Sequence, residues 1–432
     1  MAADFSVPKA LVPRAARTDA NGTCRGTFTA AELRTLAGHL AALGRQALAG
    51  IPAARRVEVW EQAIAALLEP GSPERSALLP RLLASSRLSP EGLTEGLEIV
   101  LGGASGASAM ELARRAGAVG ASEVSALAGV VLAGNIPGLA VQSLLPALLL
   151  GQPLLLKCAS SEPSFAPALV AALVAREPAL AEAYAAVTFP GDDEAALTAA
   201  FGEVDPLLAY GAAPAVASLA QRFGARLVAH GPKASVALVG ADVHLVGTAR
   251  GLARDIALFD QRGCLSLQAV YTEGDPEELA AALAWALALE SARLPHGPID
   301  PTTAAAVQQL RAEAELRRGT RRELLLELAV GTVLVENEIF FRPVPGLRTV
   351  RVHGVTDLRD ALPALASWKG KLQGAALAGP SAMALSKTLP LLSFSRLAAP
   401  GELQSADAGW ANGGIDPLAV FAGAAQSGAP TS

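Results

Sequence analysis

Apolar positions in the first part of the chain recur at helical spacing. Leu33, Leu36, Leu40 and Leu43 follow Thr29-x-x-Glu32, a capping box in which side chain and backbone satisfy each other at a helix start. Ser89-Pro90 precedes Leu93, Leu97 and Leu101, placing a cap and a first-turn proline before another helix. Residues 1–115 are therefore expected to be mostly helical. From about Leu127 short apolar runs alternate with helical stretches. Strands are expected at 128–133, 154–156, 186–189, 206–210, 226–229 and 236–239, with helices at 139–150, 165–175, 194–201 and 214–223. Strands alternating with helices imply right-handed crossovers and a parallel, doubly wound sheet, an α/β nucleotide-binding architecture. Further on, helices are expected at 243–259, 276–292 and 302–318, and strands at 267–272, 332–335 and 347–353. The last stretch, 393–432, has turn chemistry at Gly413-Gly414 and Pro417, and a frayed tail is expected over 428–432.

One run reads like a membrane span. No charged residue occurs from Val124 to Leu156, longer than the roughly 20 apolar residues a bilayer needs. Asn135, Pro137, Pro146, Gln152 and Pro153, with four glycines, cut the run into pieces of strand or helix length. Strands buried on both faces of a parallel sheet read the same way. The expectation is no transmembrane segment. At 432 residues, two or three domains are expected. A formal charge of −5 without a basic stretch, and 4% aromatics, exclude a nucleic-acid surface. Cys24, Cys158 and Cys264 are too far apart for a C-x-x-C pair. Neither a disulfide framework nor a metal site is expected, and a cytoplasmic location fits. Met1 to Arg17 lacks a continuous apolar core of the signal-peptide type.

Four local patterns carry chemistry. In Asp260-Gln-Arg-Gly-Cys264-Leu-Ser-Leu-Gln268 a cysteine sits between a polar, glycine-containing turn and an apolar strand. A nucleophilic cysteine needs partial exposure and positive potential, and Arg262 is a source of such potential. Gly134-Asn135-Ile-Pro-Gly138 follows a strand, where open α/β sheets bind ligands and an Asn amide can donate to an oxyanion. Leu155-Leu-Lys157-Cys-Ala-Ser160 is a strand ending in lysine, and Asn337-Glu338-Ile-Phe-Phe-Arg-Pro343 is the fourth. No GxGxxG is present. Taken singly, each pattern reads more readily as a buried thiol, a plain turn, a solvated strand end or a surface carboxylate.

Together and in this order, over roughly residues 110–400, they resemble the aldehyde dehydrogenase superfamily. The nearest branch is the acyl-CoA reductase (LuxC-like) family, through G-N-I-P-G, the D-Q-x-x-C-x-S-x-Q pattern, and Ser395-Arg396 followed by Trp410-Ala-Asn412-Gly-Gly414. No role is carried to that last match. The resemblance implies an aldehyde dehydrogenase-like fold, with a Rossmann-type nucleotide-binding domain over 116–240, a thiol-bearing catalytic domain over 241–390, and a segment 391–432 that returns to the body and serves oligomerisation. It implies Cys264 as nucleophile and Asn135, in its Gly134 turn, as oxyanion donor. Lys157 would hold the adenosine ribose of a cofactor, and Glu338 the nicotinamide ribose.

Departures from the superfamily point to the reaction. Hydrolytic members carry a glutamate in E-L-G-G-K, and the matching stretch here is Ala229-His230-Gly-Pro-Lys233. Without that general base an acyl-cysteine would hydrolyse slowly and would exchange with a thiol such as CoA. His230 is a candidate proton shuttle. Ser160 stands where many NAD-preferring relatives carry a carboxylate, which favours NADPH over NADH. The expected activity is reduction of an acyl-CoA thioester to an aldehyde by a homo-oligomer. The alternatives are an acyl carrier protein thioester or acyl phosphate as donor, a CoA-acylating aldehyde dehydrogenase, and a non-catalytic membrane-associated protein.

Overall fold

The computed structural model describes residues 3–19, 23–119, 124–321 and 324–422. The tail expected to fray lies outside them. The N-terminal region is helical as its spacing predicts: α1 (Ala30–Ala49), α2 (Ala53–Leu68), α3 (Pro73–Ser86), α4 (Pro90–Gly103) and α5 (Ala107–Val119). The capping box forms, with Glu32 N donating to Thr29 Oγ1 at 3.2 Å and Thr29 N to Glu32 Oε2 at 2.9 Å. Ser89 caps α4 through Gly92 N at 3.0 Å.

The next section alternates β1 (Ala128–Val131), α6 (Val141–Leu150), β2 (Leu154–Cys158), α7 (Phe165–Arg176), β3 (Tyr184–Thr188), α8 (Glu194–Phe201), β4 (Leu207–Tyr210), α9 (Ala213–Phe223) and β5 (Leu227–His230). The strands form one sheet in the order β3-β2-β1-β4-β5, every neighbour parallel. Side chains alternate between its faces. Leu154, Leu156 and Cys158 face the core shared with α2 to α7, and Leu155 faces the core shared with α1 and α8. The uncharged run is thus β1, α6 and β2, buried between other elements. Among the described residues no helix is long and apolar enough to cross a membrane.

The chain changes sheets between His230 and Ala234. The expected domain limit at 240 is corrected here, because β6 (Ala234–Val239) pairs in the second sheet with β7 (Leu267–Thr272) and β11 (Leu372–Ala378). That sheet also holds β8 (Leu324–Glu327), β9 (Thr332–Glu336), β10 (Thr349–Gly354) and β12 (Arg396–Ala398), in the order β8-β9-β10-β7-β6-β11-β12. Within this sheet, only β8 runs antiparallel to its neighbour among the described strands. Helices α10 (Leu245–Ala257) and α11 (Pro276–Arg293) cover one face through Leu252, Ile256, Leu279 and Leu283. The segment after β12 returns to the first domain, where Arg115 of α5 pairs with Asp416.

Candidate active site

A cavity of about 990 Å³ opens at the carboxyl ends of β1, β2, β4 and β5, the position where parallel α/β sheets bind ligands. The turn before β7 and the returning C-terminal segment close its other sides. Gly134, Asn135, Lys157, Ser160, His230 and Cys264 all line it.

The turn that presents Cys264 is unusual. Phe259, Asp260 and Gln261 have φ of 54°, 51° and 61°. For non-glycine residues such a conformation costs about 1–3 kcal/mol each and persists only where the surroundings enforce it. They do. Asp260 accepts from the buried Arg348 at 3.0 Å and from Gly297 N at 3.1 Å. Gln261 donates to the carbonyls of Leu267 (2.7 Å) and Thr349 (2.6 Å) and accepts from Thr349 N at 2.8 Å. Phe259 lies against Gly96 of α4, where a Cβ would meet its ring at 2.4 Å. The Asp-Gln pair of the sequence pattern is therefore the anchor of the nucleophile's turn. Ser235 Oγ donates to the Cys264 carbonyl at 2.8 Å. Gln404 Nε2 donates to Ser266 Oγ at 3.0 Å.

Cys264 is half-buried, and burial pushes its thiol up to about 11. The backbone N–H groups of Cys264 and Leu265, and the charge of Lys233, act the other way. Arg262 does not supply that charge, contrary to expectation. Its guanidinium donates to the carbonyls of Ser86 (2.7 Å) and Arg87 (3.0 Å), on the α3 side. Asn135 Nδ2 donates to the Arg262 carbonyl at 2.9 Å, so the oxyanion candidate and the cysteine's turn are in direct contact. His230 stacks on Tyr210 with ring centroids 4.5 Å apart. Burial lowers its pKa to about 4, so it is a neutral imidazole near pH 7. The Tyr210 hydroxyl, 3.4 Å from Ser143 Oγ, is pushed up to about 12 by burial.

At the other end of the cavity Lys157 is buried, its Nζ 5.0 Å from the centroid of the Phe189 ring. Burial holds its pKa below the usual lysine value. Its hydrogen bond goes to a neutral carbonyl, that of Cys158, at 3.5 Å. Gly134 is required where β1 ends, because a Cβ there would stand 2.1 Å from Ser161 Oγ.

A third arm is apolar: Val100 of α4 and Ala104 just after it, Ile136, and Ala408, Ile415 and Phe421 of the returning segment. That segment is fastened at several points. The buried Asp255 carboxylate accepts from Gly401 N (2.7 Å) and Leu403 N (3.1 Å), and burial raises its pKa to about 7. Asn412 bridges the two domains, donating to Gln142 of α6 at 2.7 Å and accepting from Gln373 of β11 at 2.8 Å.

Glu338 is not brought to this site. It is exposed and absent from the cavity wall. The segment carrying it is tied down by His353 Nδ1 against the Glu338 carbonyl (2.9 Å) and by the Tyr271 hydroxyl donating to Phe340 O (3.0 Å). Ala229 is likewise exposed and outside the lining, whereas Lys233, four residues on, lines the cavity. Sequence reasoning passed over Lys233 and Asn412, although both stand in stretches it had singled out.

The family model described as acyl-CoA reductase (LuxC) matches residues 113–424. The long-chain acyl-protein thioester reductase of Aliivibrio fischeri is 29% identical over 246 residues, 54% of this chain and 50% of that protein. A protein of the same name from Photorhabdus laumondii is 27% identical over 54% of this chain and 49% of its own length. The chain thus spans about half the length of the curated relatives it matches. Among solved structures, methylmalonate-semialdehyde dehydrogenase of Oceanimonas doudoroffii superposes with a TM-score of 0.72 at 13% identity, covering 98% of this chain and 96% of that one. Aldehyde dehydrogenase 21 of Physcomitrella patens does so at 0.71 and 15%, covering 94% and 90%. The fold is aldehyde dehydrogenase-like, and the chain belongs to the LuxC family of acyl-CoA reductases.

Proposed function

We propose that this protein reduces an acyl thioester to an aldehyde through an acyl-Cys264 intermediate, with NADPH as reductant. The observation that carries the reading is the setting of Cys264. It contacts an amide-bearing turn at Asn135 through Arg262, and the glutamate of hydrolytic relatives has no counterpart beside it. The acidic side chains lining the cavity, among the described residues, are Asp192 and Asp407. Asp407 accepts from Gly409 N within its own turn at 2.9 Å, and Asp192 follows Gly191 at the Lys157 end. With no carboxylate placed to activate water, the thioester outlives hydrolysis.

The cofactor end fits a dinucleotide. Lys157 is a buried cation whose hydrogen bond goes to a neutral carbonyl and whose Nζ lies over the Phe189 ring, with no carboxylate paired to it among the described residues. Lys157 and Ser160 would hold the nucleotide, and Ser160 in place of a carboxylate tolerates a 2′-phosphate. A bound reduced nicotinamide would supply hydride. Cys264 Sγ attacks the acyl carbonyl, and its electron pair forms the new S–C bond. The Asn135 amide and the Cys264 N–H hold the oxyanion, and the donor leaves as a thiolate. The same donors serve again when aldehyde departs and Cys264 returns as thiolate. The apolar arm accommodates an aliphatic chain. The donor is CoA or a carrier protein, and the names of the relatives favour a long chain on a protein.

The test mixes the protein with NADPH and acyl thioesters on CoA and on acyl carrier protein, and follows absorbance loss. Oxidation that requires both thioester and Cys264 is expected. Acid formed from aldehyde and NADP+ without a thiol would overturn the reading.

A further inference from the structure

The proposed chemistry needs a thiolate, yet the glutamate of hydrolytic relatives has no counterpart among the cavity-lining residues and burial opposes ionisation of Cys264. The ionisable groups of the packed elements around it are few. Tyr210 on β4 and His230 on β5 are both buried and neutral near pH 7. Arg262, on the cysteine's own turn, spends its guanidinium on Ser86 and Arg87. Lys157 stands at the nucleotide end beside Gly191. Lys233 is the remaining cation on the wall.

Its placement is fixed by the backbone. Lys233 directly precedes β6, and Ser235, two residues on, donates to the Cys264 carbonyl at 2.8 Å and accepts from Gly374 N at 3.0 Å. The strand start that carries Lys233 is thus fastened to the cysteine's own peptide. Lys233 Nζ donates to the Gly370 carbonyl, and Ala234 N donates to the Lys371 carbonyl at 2.9 Å. The ammonium is anchored on a neutral acceptor, so its charge is not cancelled there. A Cβ on Gly413 would lie 3.8 Å from Lys233 Cε and 3.7 Å from His230 Nδ1, so the C-terminal segment packs over this corner.

We infer that Lys233 is the electrostatic partner that allows Cys264 to work as a thiolate. The inference rests on Cys264 being the nucleophile of the proposed reaction. On ionisation the S–H proton passes to water and the ammonium keeps its own protons, leaving a thiolate and an ammonium on the wall of the same cavity. When sulfur's electron pair forms the S–C bond, the carbonyl π pair moves to oxygen. The donor thiolate then leaves with its C–S pair, and the ammonium balances the charge throughout.

Iodoacetamide alkylation across pH, read at the Cys264 peptide by mass spectrometry, tests this without turnover. An opposite charge within about 4–6 Å moves a pKa by about 1–3 units. Lys233→Met is therefore expected to slow alkylation at pH 7 roughly tenfold or more and to move its midpoint upward, while Lys233→Arg keeps the wild-type midpoint. A Lys233→Met profile identical to wild type, or an Arg variant displaced as far as Met, would overturn the inference. Lys233→Gln serves if the Met variant does not fold. Intact thioester-dependent turnover with an unmoved profile sinks the role of Lys233 alone. A moved profile in a protein that turns over no thioester sinks the proposed function instead.

Discussion

Arg348 reaches from the start of β10 to the turn before Cys264, where its Nη2 lies 3.0 Å from Asp260 Oδ1 with both side chains buried. Arg348 also donates to the Leu294 carbonyl at 2.7 Å and to Ser291 Oγ at 2.7 Å. Removing one member strands the other. Arg348→Met is expected to cost about 3–5 kcal/mol, read from the midpoint of denaturant unfolding. The double variant with Asp260→Asn should recover part of that loss. Additive losses would show that the pair is not coupled.

Lys157 and Glu338 should separate in cofactor binding. Hydrogen bonds to charged groups are worth about 1.5–3 kcal/mol, so Lys157→Met should raise the KM for NADPH about tenfold or more. Glu338→Gln should leave it unchanged, because that side chain stands outside the cavity. Equal effects of the two substitutions would mean that Glu338 reaches the nucleotide after all.

Ala408 faces the apolar arm from the returning segment, its N–H held by Ser108 Oγ at 2.8 Å. A phenyl ring there fills space that a chain would occupy. Each methylene in such a pocket is worth about 1–3 kcal/mol. Ala408→Phe should therefore depress kcat/KM for long-chain thioesters by about tenfold or more and spare the shortest ones. A uniform loss across chain lengths would place the acyl chain elsewhere.

His230 gives a pH dependence with a definite sign. Its pKa falls from an ordinary 6.5 to about 4 on folding, because burial disfavours the imidazolium. Between those values the unfolded chain binds more protons than the folded one, so stability falls as pH drops from about 6.5 to about 4. His230→Gln should flatten that part of the stability curve, measured by thermal melting across pH. An unchanged slope would assign the acid sensitivity to other groups.

The strand-helix alternation was legible, because short apolar runs and helical periods differ plainly. The core strand β11 was not. Leu372–Ala378 is fully buried but built largely of Gly and Ala, which carry little strand signal. The left-handed turn at Phe259–Gln261 was hidden for a related reason, since none of the three is glycine. The conformation is imposed by Arg348 and Thr349, almost ninety residues later. Cys264, Asn135 and Lys157 could be placed together because their motifs, in chain order, resemble those of one superfamily; Asn135 follows β1, Lys157 lies in β2 and Cys264 precedes β7. The position of Glu338 depends on contacts from Tyr271 and His353, which no local motif records. The change of sheet at 231–233 was obscured because β5 and β6 are nearly contiguous and equally apolar.

The wall supplied by residues 404–421 has a consequence for synthesis. These residues leave the ribosome well after Cys264, and domains fold in order of emergence. The nascent chain can complete its first sheet and set the cysteine's turn while the apolar arm still lacks one side. During that interval the thiol is open to surrounding oxidants and electrophiles, from which the finished wall partly screens it.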